Sequence, residues 1–199
     1  MPNKSKRFSA ASEKKKLSEN NNPQLADNSP QRLHILKRLD ESMSFLEATL
    51  AKISDNAWTV KPSPAQWSIG EMVHHLILVE VQHLESIKAM LSGRQESLPQ
   101  REDTALDIAA ARTSPNKSQA LPEMLPKAGL PIKVLRAALR RGREETKTFV
   151  QSVDLQNAGE VWFRTASLGV VNAAEYFEFA SLHMERHADQ IARIATQVK

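Results

Sequence analysis

The chain has no cysteine among its 199 residues. That excludes a disulfide framework, a thiolate nucleophile and a thiolate zinc site, so any metal must be held by His, Asp or Glu. Long apolar runs are also missing. None approaches the eighteen or so residues that span a bilayer, and the N-terminal lysines are not followed by a signal-peptide core. A cytoplasmic chain without a membrane partner is expected. There is no phosphate-cradling glycine loop, dinucleotide fingerprint or Ser-His-Asp order, which argues against nucleotide-dependent chemistry and triad hydrolysis. No segment alternates convincingly at period two and no repeat of fixed length recurs, so a sheet-built fold or a solenoid is not expected.

Excess positive charge is absent from the body of the chain. Residues 1–19 carry Lys4, Lys6, Arg7, Lys14, Lys15 and Lys16 against Glu13 and Glu19, and the whole chain is +4, so residues 20–199 are formally neutral. The sequence pI of about 9.4 therefore reflects a basic tail, and no nucleic acid is expected to bind the body. Residues 1–28 lack the apolar area that offsets ordering entropy and read as a disordered basic tail. Residues 29–199 read as one domain, long enough to bury a core without a metal staple.

What the chain does have is helical periodicity. Asn28 or Ser29 can cap a first helix with Pro30 in its first turn, and Leu33, Leu36, Leu39, Met43, Leu46 and Leu50 recur at spacings of three and four up to Ser54-Asp55-Asn56. Ser68 and Glu71 form a capping box, with Trp67 placed to staple onto Met72, opening a second helix over 69–91. Residues 94–131 hold five prolines and one short helical run, Thr104–Arg112, as expected of a connection that lies over a bundle and lines a site. A third helix spans 132–153 with Val134, Leu135, Ala138, Leu139 and Phe149 on its apolar side. After a polar link and a lead-in at 161–170, Asn172 and Glu175 form a second capping box for a last helix to about Thr196. The architecture expected is an all-α four-helix bundle with a long connection between helices two and three.

The most informative pair is His183 and His187. Residues four apart lie on one helix face, about 6 Å apart along the axis, so two imidazoles at that spacing can converge on one ion. Both fall on the stripe Tyr176, Phe179, Ala180, His183, His187, Ile191 and Ile194. Buried imidazoles need partners, either hydrogen bonds or a metal. Gln190 lies on the same face and can orient a ligand, hold a water behind it or bind substrate, or be an ordinary polar edge residue. A third ligand must come from elsewhere, and the second helix carries His74, His75 and His83. Periodicity alone does not choose among them, since that helix is apolar nearly all round and His83 lies nearest the centre of the stripe Met72, Leu76, Val79 and Ile87. Glu71, Glu80 and Glu185 read as a cap or as surface charges, so no general base is evident.

Trp67-Ser68-x-x-Glu71-x-x-x-His75-Leu76, then Leu168-Gly169, Glu175, Phe179 and His183-x-x-Arg186-His187-x-x-Gln190-Ile191, resemble the DinB-like (YfiT-like) four-helix proteins over about residues 30–197. The resemblance implies a divalent metal held by three histidines, which carry over to His75, His183 and His187, with His74 and His83 as less favoured substitutes for His75. Zinc is the default ion and nickel or iron the alternatives, since imidazole suits all three. Some relatives transfer or isomerise through low-molecular-weight thiols. The expected function is thus a metal-dependent enzyme on a small-molecule substrate, a thiol-dependent transferase in its sharpest form, with a homodimer as the expected assembly. The alternative is a non-catalytic, stress-related binding or interaction protein.

Overall fold

The computed structural model describes residues 29–93, 97–101, 120–165 and 168–198. Four long helices are joined by short elements: α1 (Pro30–Leu50), α2 (Ile69–Leu91), α3 (Ile132–Ser152) and the last helix, α5 (Ala173–Gln197). A short helix α4 (Leu155–Glu160) and two strands, β1 (Trp162–Thr165) and β2 (Gly169–Asn172), lie between α3 and α5. The result is the expected all-α four-helix bundle. The basic tail and the Thr104–Arg112 run lie outside the described residues. No described helix is long and apolar enough to cross a membrane.

The helix starts follow from local chemistry. Ser29 caps α1 by accepting from the Arg32 N–H, with Pro30 in the first turn. At α2 the Ser68 hydroxyl accepts from the Glu71 N–H at 3.2 Å and the Glu71 carboxylate accepts from the Ser68 N–H at 2.8 Å. Burial pushes Glu71 up, but Lys61 at 2.8 Å and the Ser68 bonds outweigh it and hold the carboxyl below its usual range. Asn172 and Glu175 repeat the reciprocal pattern at α5, at 2.8 and 3.0 Å. Such a cap contributes about 0.5–2 kcal/mol, and each fixes the angle at which its helix enters the bundle.

The helices do not meet in chain order. α1 packs on α5 and α3, and α2 packs on α3 and α5, so α1 and α2 occupy opposite corners. The link between them therefore crosses one end of the bundle. α1 stops at Leu50, short of the expected 54–56, and the 3-10 turn Asp55–Trp58 drops Trp58 into the core at 1 % exposure. A Cβ on Gly70 would meet the Trp58 carbonyl at 3.2 Å, so the first turn of α2 needs a residue that small to seat on this plug.

The apolar interior forms two clusters. One gathers Leu46, Leu50, Trp58, Ile69, Val73, Leu135, Leu139, Met184, Ala188 and Ile191; the other gathers Ile35, Leu39, Ile87, Val150, Phe163, Val171 and Phe177. Residues from both halves also support a buried polar network. Arg143, 1 % exposed, pairs with Glu80 at 3.0 Å and also contacts the Met184 sulfur, while the Thr146 hydroxyl donates to the other Glu80 oxygen at 2.7 Å.

Several expected faces are rotated by buried polar groups. On α1 the buried positions are Arg32, Ile35, Leu39, Ser42, Leu46 and Leu50, and Leu33 is 53 % exposed. Arg32 is drawn inward because its guanidinium donates to the Val150 and Val153 carbonyls, satisfying the end of α3. Ser42 tolerates burial by donating to the Leu39 carbonyl at 3.1 Å. On α3 Val134 is exposed, and Arg143 and Thr146 hold core positions instead.

The segment expected to be a polar link and lead-in is ordered secondary structure. Asp154 caps α4, accepting from the Gln156 and Asn157 N–H groups at 3.0 and 3.2 Å. β1 and β2 pair antiparallel, Trp162 opposite Asn172 and Thr165 opposite Gly169. Four-residue strands are too short to display period-two alternation, which is why no strand was expected there. The Leu98 N–H adds a bond to the Trp162 carbonyl at 2.8 Å, and Arg101 reaches the Val170 carbonyl at 2.8 Å and Glu175 at 3.1 Å. The long connection is thus tied down at the start of α5.

Candidate metal centre

α2 and α5 lie side by side, and their facing histidines meet in the groove between them. One ring nitrogen from each of His75, His183 and His187 lies within 4.8 Å of the other two, the one cluster of potential metal-binding side chains among the described residues. The Nε2 atoms of His183 and His187 are 3.0 Å apart, as the one-turn spacing requires. The His75 ring lies 5.1 Å from His187 and 5.9 Å from His183 between centroids.

The other nitrogens fix which tautomers these rings adopt. His75 Nδ1 lies 2.9 Å from the Met124 carbonyl, which can only accept, so Nδ1 carries the proton and Nε2 keeps its lone pair. His187 Nδ1 lies 2.6 Å from the Gln190 amide oxygen, with the same consequence. This is the outer support characteristic of a ligating histidine. Burial pushes His75, His183 and His187 below the usual imidazole range; the neighbouring imidazoles add to this, and His187 sits at about 3. All three rings are therefore neutral near pH 7, the form that binds metals. The donor set fits a divalent ion: three neutral imidazoles, two of them held by hydrogen-bond acceptors.

The competing histidines do not join the cluster. His74 turns toward the connection, where its Nδ1 accepts from the Lys127 N–H at 2.8 Å. Adjacent histidines thus carry opposite tautomers and grip the same strand of chain, around the 3-10 turn Pro122–Met124. The described end of the long connection lines the site, as expected. His83 is buried further along the groove, 5.9 Å from His183 between ring centroids.

The stripe expected on α5 is only part of what that helix buries. Phe177, Ser181, Met184 and Ala188 are buried as well, and Tyr176 and Phe179 belong to the same apolar cluster as Phe177. Ile194 is only partly buried. Trp67, placed to staple onto Met72, lies against the His75 ring at 4.9 Å and joins the same apolar cluster as Met72. Glu80 and Glu185 are buried ion-pair partners and not the surface charges expected: Glu80 pairs with Arg143 and Glu185 with Arg38 at 2.7 Å. The signal for Glu80 was present in its place on a helix apolar nearly all round. The Met124 carbonyl left no signal, since a backbone acceptor has no residue type.

A family model described as the DinB superfamily matches residues 38–191. The chain belongs to the DinB superfamily. Its DinB fold is also that of a solved structure described as "YfiT from Bacillus subtilis is a probable metal-dependent hydrolase with an unusual four-helix bundle topology", with a TM-score of 0.58, 14% sequence identity, and coverage of 83% of this chain and 86% of that one. At that identity the likeness establishes the DinB fold. No curated protein matches the chain.

Proposed function

We propose that this DinB protein binds one divalent ion through His75, His183 and His187 and acts on a small molecule in the groove between α2 and α5. The observation that carries the reading is the tautomer pattern: His75 and His187 both hold Nδ1–H against an acceptor, leaving Nε2 lone pairs beside His183. Zinc is the first choice and nickel or iron the alternatives, as for any all-imidazole site. Three protein ligands leave room for a fourth from solvent or substrate, the mark of a catalytic site over a structural one. When bound, such an ion lowers the pKa of a coordinated water or thiol, or polarises a carbonyl.

The residues supply position and exclusion of water. Trp67 and the Met124 turn cover His75, and Gln190 orients His187. Because the chain has no cysteine, thiol transfer here requires an exogenous low-molecular-weight thiol. Hydrolysis, the activity proposed for YfiT, needs only water. We favour the thiol-dependent transferase, and thiol binding to the metal separates the two. A second reading, a binding protein without catalysis, is favoured by one observation. Glu71, Glu80 and Glu185 are engaged by Lys61, Arg143 and Arg38, so none is free to act as a general base.

The test is metal analysis by mass spectrometry, followed by cobalt substitution. Near one ion per chain, lost in His183→Ala and His187→Ala with helicity kept, supports the site. A sulfur-to-cobalt charge-transfer band on adding a small thiol supports the transferase. A chain that carries no metal and fails to take up zinc or nickel overturns the proposal.

A further inference from the structure

The groove does not end at the histidine cluster. Beyond His183 the seam between α2 and α5 continues into a wall of aromatic side chains with a further buried imidazole, His83. The His83 ring lies 4.5 Å from Tyr176 and 5.6 Å from Phe179 between centroids. Tyr176 and Phe179 stack at 5.7 Å with an interplanar angle of 9°, Phe163 meets Tyr176 edge-on at 5.0 Å, and Phe179 lies 5.6 Å from His183. The wall therefore runs continuously from the cluster to the hairpin.

Two polar groups interrupt this apolar surface. His83 and Tyr176 are each 7 % exposed. Neither makes a hydrogen bond to any described residue, although each is in ring contact with the other. Leaving such a group buried and unpaired costs about 1–3 kcal/mol, so native structures rarely do so without a water, ion or ligand to meet it. Among the described residues, polar atoms sealed away without a partner include Arg143 Nε and Ser181 Oγ. Those of His83 and Tyr176 are not among them, so each keeps a little accessible surface.

The chemistry of the pair is neutral. An imidazole offers one N–H and one lone pair, and burial pushes the Tyr176 phenol up, so it keeps its proton. Each keeps both a donor and an acceptor at neutral pH. Arg143, the one cation acting on His83, is already engaged by Glu80 at 3.0 Å. Among the described residues a charged ligand group would find no free countercharge here, whereas an uncharged hydroxyl or amide would satisfy both residues.

We infer that His83 and Tyr176 form a neutral polar subsite, one step along the groove from the histidine cluster, which takes an uncharged hydroxyl or amide of the small molecule held at that cluster. The inference rests on the metal reading of His75, His183 and His187. It identifies Tyr176 and His83 as specificity-determining residues with no part in holding the ion.

The test uses the full chain loaded with cobalt(II) and two matched metal-binding probes. Glycolohydroxamate carries a hydroxymethyl arm; propionohydroxamate carries an ethyl arm of similar size. The first is expected to bind about three- to tenfold more tightly, the worth of one net hydrogen bond. Tyr176→Phe, which removes only the hydroxyl, is expected to shrink that preference while leaving cobalt content and propionohydroxamate affinity unchanged; His83→Phe is expected to shrink it as well. Equal affinities in the parent chain, a preference that survives both substitutions, or a cobalt-loaded chain that takes neither probe overturns the subsite. A chain that takes up no cobalt overturns the metal reading and the subsite with it, and the cobalt titration shows this before any probe is added.

Discussion

His75 donates from Nδ1 to the carbonyl of Met124, across 49 residues of chain, at 2.9 Å. The adjacent His74 accepts from the Lys127 N–H at 2.8 Å. The two bonds clamp the end of the long connection onto α2 and set the His75 ring. Loosening the clamp should weaken metal binding without removing a ligand. His74→Ala and Lys127→Pro are each expected to lower affinity by about tenfold, the low end for loss of outer-sphere support. Competition titration with a chelating indicator checks this. Unchanged affinity in both would show that the connection covers the site without orienting it.

The ligand set itself makes a sharper contrast. His75→Ala is expected to abolish stoichiometric zinc binding, while His83→Ala leaves it in place, because only His75 brings a ring nitrogen within 4.8 Å of the other two. Zinc content after dialysis gives the answer. Greater loss in His83→Ala would relocate the third ligand.

The neutral histidines tie stability of the metal-free protein to pH. His83 and His187 sit at about 3 in the fold, against 6.5 for an unperturbed imidazole. Below pH 6.5 the unfolded chain takes up protons that the folded chain does not, so stability falls as pH drops. The loss runs from about 6.5 down to about 3, at up to roughly 1.4 kcal/mol per pH unit for each ring. Above pH 7 both states are neutral and these two residues contribute no slope. Urea unfolding of metal-free protein between pH 7.5 and 4.5 measures the trend, and a flat profile would contradict the burial.

The Glu80–Arg143 pair gives a prediction in which the double change is milder than the single one. Arg143→Ala strands a buried carboxylate and is expected to cost about 3–5 kcal/mol, whereas Glu80→Leu combined with Arg143→Met is expected to be close to neutral. Denaturation of the two singles and the double completes the cycle. A double variant as weak as Arg143→Ala would mean that Thr146 and Met184 depend on the pair for their own packing.

The legible parts of this fold were the local ones. Both capping boxes, Ser68 with Glu71 and Asn172 with Glu175, lie within four residues, and they located the starts of α2 and α5. The His183–His187 pair was legible for the same reason. Partners distant in the chain left no local trace. Arg32 is buried because of carbonyls at Val150 and Val153, so the face of α1 could not be read from its leucines alone. His75 and His83 are both buried on a helix covered on most sides, so periodicity could not choose between them and the family resemblance was needed.

Deleting residues 1–28 is expected to leave helicity and metal content unchanged. The DinB match begins at residue 38, and the cap of α1 is supplied by Ser29. Circular dichroism and metal analysis of the shortened chain check both. A marked fall in melting temperature would show that the tail packs on the bundle.

The placing of α1 and α2 at opposite corners governs how fast this chain can find its structure. In an up-and-down bundle each helix docks on the one just made, and such local contacts let helical proteins fold in microseconds to milliseconds. Here α1 has no consecutive bundle helix beside it and waits for α3 and α5, while α2 reaches its nearest bundle neighbour across the long connection. Loop closure must precede nearly every helix–helix contact. The chain should therefore fold at rates nearer those of mixed α/β domains than of simple bundles.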